Sequence, residues 1–95
     1  MKIIAAAIKF YMENDLYPSI MTAKRHCNIL EKMYDLHIKY DRKTYIQGFL
    51  TDTNLFLDRY EALKLAKENG QIPKDWKCAE LFSEDLWPPT EDDTI

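Results

Sequence analysis

The stretch Tyr45–Gly70, YIQGFLTDTNLFLDRYEALKLAKENG, carries the strongest structural signal in the chain. Ile46, Gly48 and Leu50 alternate with Tyr45, Gln47 and Phe49, which predicts a strand, and Leu55-Phe56-Leu57 predicts its return arm. Thr51-Asp52-Thr53-Asn54 supplies the turn between them, since asparagine tolerates a left-handed backbone. Asp58 then opens a helix as its N-cap, and Glu61 three residues on completes a D-x-x-E capping arrangement. Ala62, Leu63, Leu65 and Ala66 are its packing residues. Asn69-Gly70 ends it, with glycine suited to the left-handed position past the last turn, and Pro73 prevents continuation.

The N-terminal half repeats this rhythm. Residues 3–10 are apolar except for Lys9, Glu13-Asn14-Asp15 reads as a turn, and residues 16–22 return as an edge strand that tolerates Pro18. Residues 24–40 read as a helix, because Ile29, Met33, Leu36 and Tyr40 make one apolar stripe that Leu30 and Tyr34 widen. Asp41-Arg42-Lys43-Thr44 breaks the pattern. Ala79–Trp87 is the last ordered piece expected. The sequence therefore predicts one small α+β domain: two β-hairpins and two helices in the order ββαββα, with a short C-terminal extended segment. That domain covers residues 1–88, with a flexible acidic tail over 89–95.

Composition narrows the function. With 95 residues, 46% of them hydrophobic, there is one globular core and it is modest. The net charge of −3 argues against a duplex-DNA binder, and two glycines leave no glycine-rich phosphate loop. The charge is unevenly placed. All thirteen Lys and Arg lie at or before Lys77, against ten acids, so residues 1–77 carry +3, while six acids and no base follow. Cys27 and Cys78 form no C-x-x-C pair and are too few for a disulfide framework, which suits a reducing cytoplasm. Lys9 interrupts the N-terminal apolar run, so neither a signal peptide nor a membrane span is expected.

Several residue types in this pattern point to ligand chemistry. Lys24-Arg25-His26 opens the first predicted helix, where cations oppose the macrodipole unless an anion completes the site. The plainer alternative is a solvated end paired with Glu13 or Asp15. Arg59 repeats the arrangement at the second helix, with a salt bridge to Asp58 or to Glu84-Asp85 as its plainer alternative. Gly48, inside a strand, signals close backbone approach or a bulge. Phe49 and Phe56 could each stack on a base, or sit in the core. Ser83-Glu84-Asp85 could meet ribose hydroxyls or act as acid and base, and equally could cap a turn. Trp87 reads as a packing residue. His26, His37, Cys27 and Cys78 have no metal-ligand spacing, and nothing places a base beside Cys27, so neither a metal nor a catalytic residue is expected.

These blocks carry a resemblance. Lys24-Arg25-His26, Gln47-Gly48-Phe49-Leu50-Thr51, Phe56-Leu57-Asp58-Arg59, Glu61-Ala62, Gly70-Gln71-Ile72 and Leu81-Phe82-Ser83-Glu84-Asp85-Leu86-Trp87 occur in order. The set resembles the Thoeris anti-defence one family, phage sponges for cyclic ADP-ribose signals. The resemblance implies a homo-oligomeric binder in the host bacterial cytoplasm. Such a protein captures the glycocyclic ADP-ribose made by TIR-domain immunity without degrading it, and some members also bind cyclic oligonucleotides. By carry-over, Arg25 and Arg59 clamp the pyrophosphate, Phe49 or Phe56 stacks on adenine, and Ser83, Glu84 or Asp85 meets ribose hydroxyls or fixes the arginines. Lys24, His26, Gln47 and Thr51 complete the expected ligand-binding set, with no cofactor. The sequence departs from the pattern at Asn54, where relatives commonly have glycine, and over residues 12–21. Two other functions stay open: a protein-binding inhibitor acting through the acidic C-terminal region, and a phosphodiesterase-type hydrolase of the same signal.

Overall fold

A computed structural model describes residues 1–12, 16–40 and 43–88. Strands β1 (Ile3–Phe10) and β2 (Ser19–Ala23) form the first antiparallel hairpin. The turn expected at Glu13-Asn14-Asp15 and the tail expected over 89–95 lie outside the described residues. Helix α1 (His26–Asp35) leads to β3 (Ile46–Thr51), β4 (Phe56–Asp58) and α2 (Arg59–Glu68). The four strands make one antiparallel sheet in the order β2-β1-β3-β4. The α+β class and the ββαββα order thus hold. The C-terminal segment, expected to be extended, instead contains one helical turn, α3 (Ser83–Leu86). There the Asp85 carboxylate reaches back to accept from the Phe82 N–H at 3.0 Å.

Both long helices lie on one face of the sheet. Ala6, Ile8, Phe10 and Phe49 face Ile29 and Met33 of α1 and Ala62, Leu63 and Ala66 of α2 in a single core. Strand alternation sends the intervening side chains to the other face, which no helix among the described residues covers. On that face the Phe56 ring lies across Gly48. A Cβ at position 48 would run into the Leu57 carbonyl oxygen and come within 2.7 Å of Phe56 Cζ. The glycine signal in β3 therefore marks close backbone approach.

Helix α2 obeys its sequence. Asp58 accepts from the N–H groups of Tyr60 and Glu61, and Glu61 returns a bond to the Asp58 N–H. Gly70 takes φ 82° just past the end. Gln71 follows, and its amide both accepts from the Ile3 N–H at 2.8 Å and donates to the Ile3 carbonyl at 2.9 Å. It supplies backbone pairing at Ile3, beyond the reach of β2, whose register against β1 covers Ala6 to Phe10.

Helix α1 is shorter than the apolar stripe predicts. It stops at Asp35, and Tyr40 leaves to bridge Met12 and to pack edge-on against Phe10 and Tyr45 at 5.9 and 5.6 Å. The stop is a Schellman motif without glycine. The Ile38 N–H donates to the Met33 carbonyl, the His37 N–H donates to the Tyr34 carbonyl, and His37 adopts φ 54°. A non-glycine residue there carries a steric cost. His37→Gly should therefore raise stability by about 0.5–1 kcal/mol, or about 2–8 °C in Tm, in a thermal melt. An unchanged or lower Tm would mean that the left-handed position carries no strain.

Candidate functional site

The N-terminus of α1 is built from three consecutive residues with different tasks. Lys24 is exposed ahead of the helix. Arg25 is the N-cap in extended conformation, and its side chain makes no cap hydrogen bond. Its buried guanidinium instead donates to the Trp87 carbonyl through Nε and to the Pro88 carbonyl through Nη2, both at 3.0 Å. His26 turns inward. Its Nε2 lies 2.7 Å from the Gly48 carbonyl, which can only accept, so Nε2 carries the proton. The ring meets Phe49 edge-on at 5.1 Å, and the His26 N–H donates to Ser83 Oγ at 3.3 Å. Burial pushes the imidazole below its ordinary value and the Arg59 charge pushes the same way; the Gly48 carbonyl and Glu84 oppose them. His26 is therefore neutral at pH 7.

Arg59, the first residue of α2, sits near this imidazole. Its carbonyl accepts from the Leu81 N–H at 3.1 Å, which brings the segment 81–88 across both helix starts. Its guanidinium donates through Nη2 to Gln47 Oε1 and stacks on the Phe82 ring at 4.6 Å. Its Nε is shielded from solvent and has no partner among the described residues. Beside it opens a cleft of about 460 Å³ lined by Tyr45, Ile46, Gln47, Asp58, Arg59, Tyr60 and Glu80. The Tyr60 hydroxyl donates to Glu80 at 2.7 Å, and that carboxylate raises the phenol's pKa. The first N–H groups of α2 are already taken by Asp58, so the helix start offers a neighbouring guanidinium rather than an open amide cradle.

Most of the expected residues converge. Arg25, His26, Gln47, Arg59, Ser83 and Glu84 meet where segment 81–88 crosses the two helix starts. Phe49 takes its core alternative, with its ring fully buried beneath His26 and 6.4 Å from Trp87. Ser83 is buried as an acceptor, and Asp85 caps its own helical turn. Two expected residues lie elsewhere. Thr51 is buried at the far end of β3, where its hydroxyl accepts from the Thr53 and Leu55 N–H groups. Phe56 lies on the helix-free face, 5.8 Å from the Lys9 ammonium. Tyr45, Tyr60, Glu80 and Phe82 were missed as site residues. Only Phe82 had a usable signal, an aromatic residue directly before Ser83-Glu84-Asp85 within the Leu81–Trp87 block. Among the described residues, no group of three His, Cys, Asp or Glu could hold a metal ion. Cys27 and Cys78 are exposed and unbonded. No helix among the described residues is long and apolar enough to cross a membrane.

A family model described as phage T4 y16D protein matches residues 2–87. No curated protein and no solved structure matches the chain.

Two stability effects follow from the geometry. Unfolding returns His26 to its ordinary value of 6.5, above its folded value, so the unfolded chain binds a proton that the folded chain refuses. The contribution is complete above that value and is lost as pH falls through the window beneath it. Between about pH 7 and about pH 5 the wild type should lose more stability than His26→Gln. Equal losses in paired denaturant titrations would refute a buried neutral ring. Arg25→Ala should cost about 2 kcal/mol, because it strips two charge-assisted hydrogen bonds from buried geometry. The corresponding fall in Tm is about 8–16 °C. A melt within about 2 °C of wild type would show that the carbonyl clamp is dispensable.

Proposed function

We propose that this chain, which belongs to the phage T4 y16D protein family, binds a small nucleotide signal of the cyclic ADP-ribose class and holds it without turnover. Acting in the infected cell's cytoplasm, it would starve a TIR-linked effector of its activator. The observation that carries this reading is the state of Arg59. Arg25 is committed to main-chain carbonyls, whereas among the described residues Arg59 is held by an exchangeable side-chain amide and a ring, and its Nε lacks a partner there. A partly buried guanidinium held over the Phe82 ring is prepared for a pyrophosphate.

The rest of the cleft supports the same ligand class. Its volume, about 460 Å³, lies in the range of small-molecule sites, roughly 300–1,000 Å³. Tyr45 and Tyr60 line it with aromatic rings, either of which could take the adenine in place of buried Phe49. Asp58 and Glu80 have oxygens that accept ribose hydroxyls. With one cation and two carboxylates, the cleft favours a ligand rich in hydroxyls with a compact anionic centre over a polyanion.

The test is depletion and recovery. Cyclic ADP-ribose isomers dialysed against the protein should be depleted in proportion to protein, and heat denaturation should return them intact. Arg59→Ala should weaken binding at least about tenfold while keeping the wild-type circular dichroism spectrum. No depletion by the wild type defeats the reading, and loss of ligand at sub-stoichiometric protein would mark a hydrolase instead.

A further inference from the structure

The two carboxylates in the cleft beside Arg59 are held differently. Asp58 spends Oδ1 on the helix cap, where it accepts from the N–H groups of Tyr60 and Glu61. Glu80 enters from the other wall, on the irregular segment that runs into buried Leu81. The Leu81 N–H donates to the Arg59 carbonyl at 3.1 Å, and this lays residues 60 and 80 side by side. The Tyr60 hydroxyl then donates to Glu80 Oε1 at 2.7 Å. Among the described residues no donor reaches Oε2. An ionised carboxylate only accepts, so this oxygen is open to a ligand group that carries a proton. Charge acts in the same direction. Among the described residues that line the cleft, Arg59 is the single cation and faces Asp58 and Glu80. One pyrophosphate occupies that guanidinium, and a further phosphate would find no counterion there.

We propose that Glu80 is the specificity-determining residue of this cleft: it admits a ribose with free hydroxyls and rejects the same ribose carrying a phosphate monoester. The inference rests on the nucleotide reading above and adds to it a choice between ligands. Tyr60 sets which ribose is concerned. Its ring lines the cleft and its hydroxyl holds Glu80, so a base stacked on that ring brings its own ribose to Oε2. A ribose hydroxyl donates to Oε2 in place of water. A phosphate monoester there carries a charge of about −1.5 to −2 at pH 7 and has oxygens that accept rather than donate. It would stand against Glu80 and Asp58 with Arg59 already engaged, and a like-charge contact of this kind excludes a competitor that shape alone would accept.

Equilibrium dialysis of the full chain tests this with cyclic ADP-ribose isomers that leave the adenosine 2′-hydroxyl free, each beside its 2′-phosphate. The wild type should bind the free form at least about tenfold more tightly. Glu80→Gln keeps an acceptor for Tyr60 and removes the charge. It should bind the phosphorylated form at least about tenfold more tightly than the wild type does, with an unchanged melting curve. Glu80→Arg should prefer the phosphorylated form. Tyr60→Phe keeps the charge and should still reject it. Equal binding of the two forms by the wild type overturns the inference and leaves the nucleotide reading standing, whereas depletion of neither form defeats both. A Glu80→Gln variant that discriminates as strongly as the wild type places the rejection on another residue and overturns the inference as well.

Discussion

One imidazole joins three parts of the chain. His26 spans from the start of α1 to the Gly48 carbonyl in the sheet, rests against Phe49 in the core, and receives Ser83 on its main-chain N–H. The bond to Gly48 requires a protonated Nε2, and burial requires a neutral ring, so a single tautomer satisfies both demands. Because Ser83 sits on His26 and Phe82 sits under Arg59, the same residue fixes the distance between the two helix starts. The cleft beside Arg59 inherits its geometry from that arrangement.

The two basic helix starts look alike in sequence and differ in the folded chain. At α1, Arg25 compensates its unfavourable position against the dipole by clamping the carbonyls of Trp87 and Pro88. At α2, Asp58 offsets the dipole as a cap and leaves Arg59 to the cleft. Coulomb reasoning on the sequence allows an anion at each basic helix start, and only the family resemblance implies one pyrophosphate shared by both arginines. The fold commits one of them to main-chain carbonyls and sets the other on Gln47 and the Phe82 ring beside the cleft.

What the sequence made readable was local. The cap and stop of α2, the Asn54 turn and the first hairpin each rest on residues a few positions apart. Asn54 indeed takes φ 63°. The end of α1 escaped because its left-handed residue is His37, a type that carries no stop signal, while Tyr40 continued the apolar stripe. Phe82 could have been found, since an aromatic residue next to the polar run Ser83-Glu84-Asp85 is a usable cue. Tyr45, Tyr60 and Glu80 could not, because their meeting depends on β3, α2 and the C-terminal segment arriving at one place. Spacing along one element cannot report a site assembled from three.

The side chain of Gln71 has a consequence in time as well as in space. Its amide completes the backbone pairing of Ile3, 68 positions earlier. On a ribosome the first strand emerges well before the second helix, yet its final rung exists only after that helix has been made. β1 must therefore wait, with its Ile3 end lacking the Gln71 bonds, while the 68 positions between them are synthesised. Synthesis order and assembly order run in opposite directions at this strand, and a contact of such long sequence separation closes late and slowly.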